Sequence, residues 1–224
     1  MFLLSEDWGS LKAVAKGALR SKRRFVNVLE PFSLLRAHLR GGKVSLPPFL
    51  DQADLLEPYE KIRLDTKRYL YACYLAELLE PFLRPYTGKE YFPLFQQALE
   101  YLCEVQPHYA VFKMAFELKL LQRSGFAPSW DFCVRCERVP RPPLAFSWRD
   151  GGVVCPSCRS EEDHPLSGQA WAALRHLVHL PFSHLRRVKL AEVVEKECCF
   201  LLENFIKRLL DYEINTLRIL KEMF

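Results

Sequence analysis

Two cysteine pairs constrain how this chain can fold more than any other feature. Cys133 and Cys136 form one C-x2-C pair, and Cys155 and Cys158 form a second pair after eighteen intervening residues. Two cysteines three positions apart can turn around one metal ion, and two such turns complete a tetrahedron of sulfur atoms. This spacing is typical of four-cysteine zinc sites, so we expect these residues to bind one zinc ion.

The segment around the cysteines, residues 130–165, is rich in proline and irregular, and we expect it to lack an apolar core of its own. Four sulfur ligands leave no position for an activated water, so the zinc would be structural. Metal binding of about 10–16 kcal/mol would then order the segment. Two disulfides or four free thiols are the alternatives. The H-x-E motif of zinc deaminases is absent, because no histidine is followed by Glu two positions later.

Positive charge is concentrated near the amino terminus. Residues 1–43 hold nine Lys or Arg and three acidic residues, a net charge of +6, whereas residues 44–224 have a net charge of −1. A local excess of this kind is the electrostatic footprint of a phosphate-binding surface. A solvated loop without a ligand is the alternative interpretation.

The pattern of apolar residues divides the chain. The first 55 residues alternate like short strands, for example at Leu11, Ala13 and Ala15, and Pro47-Pro48 is expected to interrupt further pairing. Helical spacing begins near Tyr59. The predicted helices cover residues 59–78, 92–105, 108–123, 167–180 and 188–222, with Ser167 as an N-cap and Gly125 closing the third helix.

Several motifs in one order resemble the RecO family of bacterial recombination mediators. The stretch from Gly9 to Phe25, GSLKAVAKGALRSKRRF, resembles its N-terminal domain, as does Leu29-Glu-Pro-Phe. The stretch Phe116-Glu-Leu-Lys-Leu-Leu resembles its central helix, and the two cysteine pairs with Gly151-Gly resemble its zinc insert. Family members usually begin with about twenty more residues, which carry the first strand of an oligonucleotide-binding (OB) barrel. This chain starts at what resembles the next strand, Phe2-Leu-Leu. We therefore expect an OB-like domain, and either the start is truncated or misassigned, or the barrel lacks its first strand.

The resemblance implies an α+β, multidomain fold with three parts. These are a small OB-like DNA-binding β domain at residues 1–56, an all-α domain at residues 57–129 and 166–224, and a zinc-ribbon-like insert at residues 130–165. It also implies a protein that binds single- and double-stranded DNA, anneals complementary strands and helps load recombinase onto DNA covered by single-stranded DNA-binding protein. The implied partners are the acidic C-terminal tail of that protein and a RecR-type protein.

The basic residues that we predict to contact DNA lie close together in the sequence. Lys12 and Lys16 would project from the same side of one predicted strand, and a cluster in the following loop would neutralise further phosphates. The loop residues are Arg20, Lys22, Arg23 and Arg24. Lys113 and Arg123, on the predicted central helix, are the candidates for binding the acidic tail, with a solvated surface as the alternative.

We expect a binding protein without enzymatic activity. The sequence contains no nucleophile elbow and no phosphate-binding glycine loop with Lys and Ser/Thr. A protein adaptor and an RNA-binding protein remain as alternative functions. The chain has no apolar run of about 18 residues that would span a membrane and no secretory pattern at its start, so we expect a bacterial cytoplasmic protein, associated with the nucleoid during repair.

Overall fold

The structure is a computed structural model that describes residues 1–18, 21, 25–41, 46–84, 87–104 and 107–224. The chain divides into two compact units. Unit 1 comprises Met1–Val105 and Asn215–Phe224, and unit 2 comprises Gln106–Ile214. Small antiparallel sheets and several helices make up the two units, which confirms the predicted mixture of helix and strand.

Unit 1 contains two antiparallel strand pairs, β1–β2 and β3–β4. The strands are β1 (Phe2–Ser5), β2 (Gly9–Lys12), β3 (Leu34–Arg40) and β4 (Phe49–Glu57). Leu50 and Ala53 on β4 are buried with Phe25. They are three positions apart, which would place them on opposite faces of a regular strand, but the register shift between Leu50 and Gln52 inserts one extra residue and brings both to the same face. Around this small core lie apolar residues of the segments that follow β2 and precede β3.

Two predictions about the strands are wrong in detail. Strand β2 ends at Lys12; beyond it, Ala13 exchanges backbone hydrogen bonds with Met1, and Val14 forms an isolated bridge with Phe49. Pro47-Pro48 does not end pairing either, since β4 begins directly after it. A proline just before a strand removes no ladder hydrogen bond from that strand. The Pro48 carbonyl instead accepts a hydrogen bond from the Val14 amide at 2.9 Å.

The helices of unit 1 begin with a break that the periodicity did not predict. They are α1 (Glu60–Arg63), α2 (Thr66–Leu79), α3 (Gly88–Leu102) and the C-terminal α7 (Asn215–Met223). Asp65 separates α1 from α2, and its carboxylate caps α2 by accepting a hydrogen bond from the Arg68 amide at 2.9 Å. The Arg68 guanidinium donates to the carbonyls of Leu102 and Glu104 and so ties the end of α3 to α2.

The turn between β1 and β2 lies directly against the start of α3. A Cβ atom added to Gly88 would lie 2.0 Å from the Ser5 carbonyl oxygen and 2.4 Å from that of Glu6. A Cβ atom on Gly9 would meet the Arg84 carbonyl at 2.6 Å. Both positions therefore require glycine, because any other side chain would push the hairpin away from the helix.

Unit 2 is built around α4 (Tyr109–Ser124), in which every residue from Val111 to Leu118 is buried. Gly125, at φ +79°, closes this helix as predicted. The other elements are β5 (Leu144–Ser147), β6 (Gly152–Val154), β7 (His164–Leu166), α5 (Gly168–Leu177), a 3-10 helix at Phe182–Arg187 and α6 (Glu192–Leu210). Ser167 caps α5, also as predicted, since its hydroxyl accepts from the Ala170 amide at 3.1 Å.

Residues 130–165 form a three-stranded sheet in the order β6–β5–β7. Its central strand is fully buried, and Phe146 packs with Trp130 at 5.5 Å and with Phe205 of α6 at 5.9 Å between ring centroids. We expected this segment to lack an apolar core of its own, and its buried strand packs into a core that it shares with α6, where apolar side chains far apart in the sequence meet. Among the described residues, no helix is long and apolar enough to cross a bilayer.

Glu77 of α2 holds the start of α7 in place. Its two carboxylate oxygens accept hydrogen bonds from the amides and side chains of Asn215 and Thr216, at 2.6 to 3.4 Å. Burial raises the pKa of Glu77, but these four donors outweigh it and hold the pKa below its ordinary value of 4.5. The carboxylate thus satisfies amides that no residue within the helix can satisfy.

Replacing Glu77 with Ala should loosen α7. We expect a loss of roughly 0.5–2 kcal/mol, seen at pH 7 as faster hydrogen–deuterium exchange of residues 215–223. Because the folded-state pKa is lowered, the contribution is present above pH 4.5 and is lost as the pH falls through the lower value. Glu90→Ala, at an exposed position of α3, is the control. Equal exchange of α7 in both variants would contradict the assignment.

Candidate functional site

The four cysteines of the two C-x2-C pairs come together at one point of unit 2. Their sulfur atoms all lie within 4.8 Å of one another, and the Sγ atoms of Cys136 and Cys155 are 3.8 Å apart. Zinc bound by thiolates at about 2.3 Å in a tetrahedron places its sulfurs roughly 3.8 Å from each other. The donor set and its spacing therefore fit a tetrahedral metal ion.

Two backbone turns position the sulfurs. In the first, the Cys133 amide donates to the Arg138 carbonyl at 2.9 Å, the Glu137 amide donates to the Cys133 carbonyl at 2.8 Å, and Glu137 adopts a positive φ of 61°. In the second, the Cys158 amide donates to the Cys155 carbonyl at 3.0 Å. Each turn points its two thiols to the same side, which is the arrangement that a shared ion requires.

The surroundings of the sulfurs favour a cation. Burial raises the pKa of Cys133, but backbone amides, with that of Cys155 first at 3.4 Å, outweigh it and lower the pKa to about 6. Hydrogen bonding to the thiols of Cys155 and Cys136 raises the pKa of Cys158 to about 12. Four thiolates this close repel one another, and a divalent cation between them removes that repulsion.

Arg135 links the two turns independently of a metal. We predicted no carboxylate partner for it, yet its guanidinium donates to both oxygens of Asp163 at 2.7 and 2.8 Å and to Asp150 at 2.8 Å. It also donates to the Cys158 carbonyl at 2.6 Å. Burial raises the pKa of Asp163, but Arg135 and the amide and hydroxyl of Ser160 hold it below the ordinary range. Neither aspartate was identified from the sequence. An arginine inside a cysteine pair, with acidic residues nearby in the chain, is a pattern from which an ion pair could have been predicted.

The predicted DNA-contacting residues are described only in part. Lys12, the last residue of β2, is exposed, and its ammonium lies 5.0 Å from the centroid of the Phe2 ring. Lys16 is exposed in a turn beyond the strand, so the two do not project from one strand as predicted. The other four predicted residues, Arg20, Lys22, Arg23 and Arg24, lie outside the described residues.

The two candidates for binding an acidic tail differ in exposure. Lys113 is only 4% exposed, and its ammonium lies 2.9 Å from carboxylate oxygens of both Glu117 and Glu203. This is not the surface position that the prediction requires, because α4 is buried on all sides at this point. Arg123, in the last turn of α4, is exposed.

Comparison with known proteins connects both units to one family. Residues 2–59 match the family model described as Recombination protein O N terminal, and residues 63–218 match Recombination protein O C terminal. A DNA repair protein RecO from Thermoanaerobacter sp. (strain X514) is 30% identical over 217 residues, which cover 96% of this chain and 86% of that protein. Another from Anaeromyxobacter sp. (strain K) is 35% identical over 179 residues, or 78% and 70% of the two chains.

The cysteine geometry predicts about one metal ion per chain. Elemental analysis of protein purified under reducing conditions should find it, and Cys136→Ser should lower both the metal content and the melting temperature. Cys73→Ser, at a thiol outside the cluster, should change neither metal content nor the stability of residues 130–165. Metal-free protein with full protection of these residues from proteolysis would contradict the prediction.

The burial of Lys113 predicts a stability effect. Lys113→Ala removes the cation that two carboxylates share, which should cost about 3–5 kcal/mol in urea unfolding. Lys196→Ala removes the exposed partner of Glu192 and should leave the unfolding midpoint almost unchanged, because water screens an exposed ion pair. Similar losses for the two variants would show that the buried ion pairs do not form.

Proposed function

The chain belongs to the RecO family of DNA repair proteins, and from this premise we propose that it is a recombination mediator that anneals complementary DNA strands. It binds single- and double-stranded DNA and helps load recombinase onto DNA covered by single-stranded DNA-binding protein. The observation that carries the proposal is that both family models match in order, over residues 2–59 and 63–218. Its action is binding, without bond-breaking chemistry.

The N-terminal part contributes the first DNA surface. Residues 1–56 form an OB-like domain that uses Lys12, Lys16 and the basic residues between positions 20 and 24 to neutralise phosphates. The exposure of Lys12 and Lys16 supports this assignment, as does the net charge of +6 over residues 1–43. Phosphate contacts of this kind give strong, salt-sensitive and sequence-tolerant binding. Phe25 is buried in the small core of unit 1 and so serves packing rather than base stacking.

The remaining domains have supporting roles. Residues 57–129 and 166–224 form the helical domain, and residues 130–165 form the insert that binds one zinc ion through Cys133, Cys136, Cys155 and Cys158. Zinc is the preferred ion because four thiolates in a tetrahedron select it over harder cations. With every position filled by sulfur, the ion holds the insert together and activates no water.

Protein partners complete the proposal. The acidic tail of single-stranded DNA-binding protein contacts the helical domain, where exposed Arg123 is the better of the two predicted cations. A RecR-type protein is the second partner. The RecO relatives are bacterial DNA repair proteins, and we accordingly assign this chain to the bacterial cytoplasm.

A salt series tests the DNA surface. Lys12→Ala with Lys16→Ala should weaken binding to single-stranded DNA and reduce the slope of log K against log salt by about 0.7 for each phosphate that the variant no longer neutralises. Lys196→Ala, which removes an exposed cation of α6, should leave the slope unchanged.

Three results would argue against the proposal. Absence of DNA binding by the unmodified protein at about 50 mM salt would favour a protein adaptor. An unchanged slope in the Lys12 and Lys16 variant would remove these residues from the surface. Tighter binding to an RNA oligomer than to the DNA oligomer of the same sequence would favour an RNA-binding function.

A further inference from the structure

A second basic segment lies in unit 2, far from the amino terminus. Residues 164–191 contain four Lys or Arg, four His and no Asp or Glu. This segment is not visible in the net charge of −1 over residues 44–224, because acidic residues on both sides of it cancel its positive charge in that total. The segment thus carries a local excess of positive charge of the kind that binds phosphates, although Arg175 pairs with Asp131 outside it.

The structure shapes this segment into a groove of about 640 Å³ on the outer side of α5. The inner side of α5 packs through Ala170, Leu174 and Leu177, which are buried. Ala172 and Ala173 belong to the opposite side and line the groove. These two side chains are small, so a ligand backbone can approach the helix closely.

The opposite wall is the 3-10 helix Phe182–Arg187 with the residues that follow it. Phe182 and Leu185 are buried, and the Phe182 ring lies 5.5 Å from that of Phe112 in α4. Lys119 of α4 donates to the Val178 carbonyl at 3.1 Å and fixes the link between the walls. The groove is therefore a packed feature of unit 2.

Cations lie along one wall of the groove. Arg187 and Lys189 line it and are exposed, and His176 and His184 add two further donors. No acidic side chain is among the described residues that line it. Charge complementarity therefore favours a ligand that carries negative charge beside Arg187 and Lys189, because no acidic side chain in this lining neutralises them.

The lining also distinguishes between kinds of anionic ligand. None of the described residues that line the groove is Phe, Tyr or Trp, so the imidazole rings of His176 and His184 are the only side chains in this lining on which bases could stack. A strand held here would be bound through its phosphates and sugars, and its bases would stay available. Such an arrangement suits annealing, because bases that the protein does not contact are free to pair with a complementary strand.

We propose that this groove binds the sugar–phosphate backbone of a second single strand, so that one chain holds two strands at once. The inference rests on the proposed annealing function. The N-terminal cations, Lys12 and Lys16 among them, bind one strand, and Arg187 and Lys189 bind the other. Phosphate recognition by two separate surfaces brings together strands that otherwise repel each other.

The experiment measures how many equivalents of a short oligothymidylate bind per chain, by calorimetry at low salt, together with the annealing rate of complementary oligomers. Unmodified protein should bind two equivalents. Arg187→Gln with Lys189→Gln should bind one equivalent and anneal at least about tenfold more slowly. The charge-preserving pair Arg187→Lys with Lys189→Arg should retain both equivalents. These side chains are exposed, and an unchanged melting temperature will show that the variants fold.

Lys196→Gln with Lys207→Gln is the matched control, since it removes two exposed cations of α6 that pair with Glu192 and Glu213. It should retain two equivalents. One equivalent on the unmodified protein, or no change in the Arg187 and Lys189 variant, would overturn the inference and leave the proposed function intact. No DNA binding at all would overturn both. If the variant keeps its DNA equivalents but loses affinity for an aspartate-rich peptide, the groove binds peptide and the inference is wrong.

Discussion

The mutual closeness of four thiols is the constraint on which residues 130–165 depend. Two short turns, around Cys133 and Cys155, place the sulfurs within 4.8 Å of one another. Such a cluster of thiolates is electrostatically unfavourable unless a cation lies between them. The free energy of metal binding therefore contributes directly to the free energy of folding of this segment. The sheet β6–β5–β7 extends from these turns and packs Phe146 against α6. Loss of the ion would therefore affect the apolar packing of unit 2 as well as the turns.

Signals that act over a few residues were predictable from the sequence. Ser167 and Gly125 mark a helix start and a helix end because the hydrogen bonds and backbone angles involved are local. The cysteine cluster was predictable for the same reason, since each pair spans one turn. The break at Asp65 was missed, although an N-cap aspartate is a local signal, because the apolar spacing continues across it.

Features that depend on distant residues could not be predicted. Lys113 has the sequence context of a surface lysine, and only the fold brings Glu203, ninety positions away, to its ammonium. Strand β4 follows two prolines, and it is a strand because it pairs with β3. The sequence of β4 alone does not reveal that partner. The groove in unit 2 was hidden in a different way. Its cations were present in the sequence, but a charge sum over residues 44–224 averaged them away.

The bonds from Arg135 to Asp163 and to the Cys158 carbonyl have a kinetic consequence. They span the same two turns that the metal joins, so part of the entropy of closing the intervening loop is lost before an ion arrives. Uptake of the ion then requires deprotonation of the thiols and a shorter search by the backbone than a chain without these bonds would need. In a cell that is briefly short of zinc, the insert would accordingly loosen while its two turns stay close to each other, so that these chains regain the ion faster than chains without the Arg135 bonds.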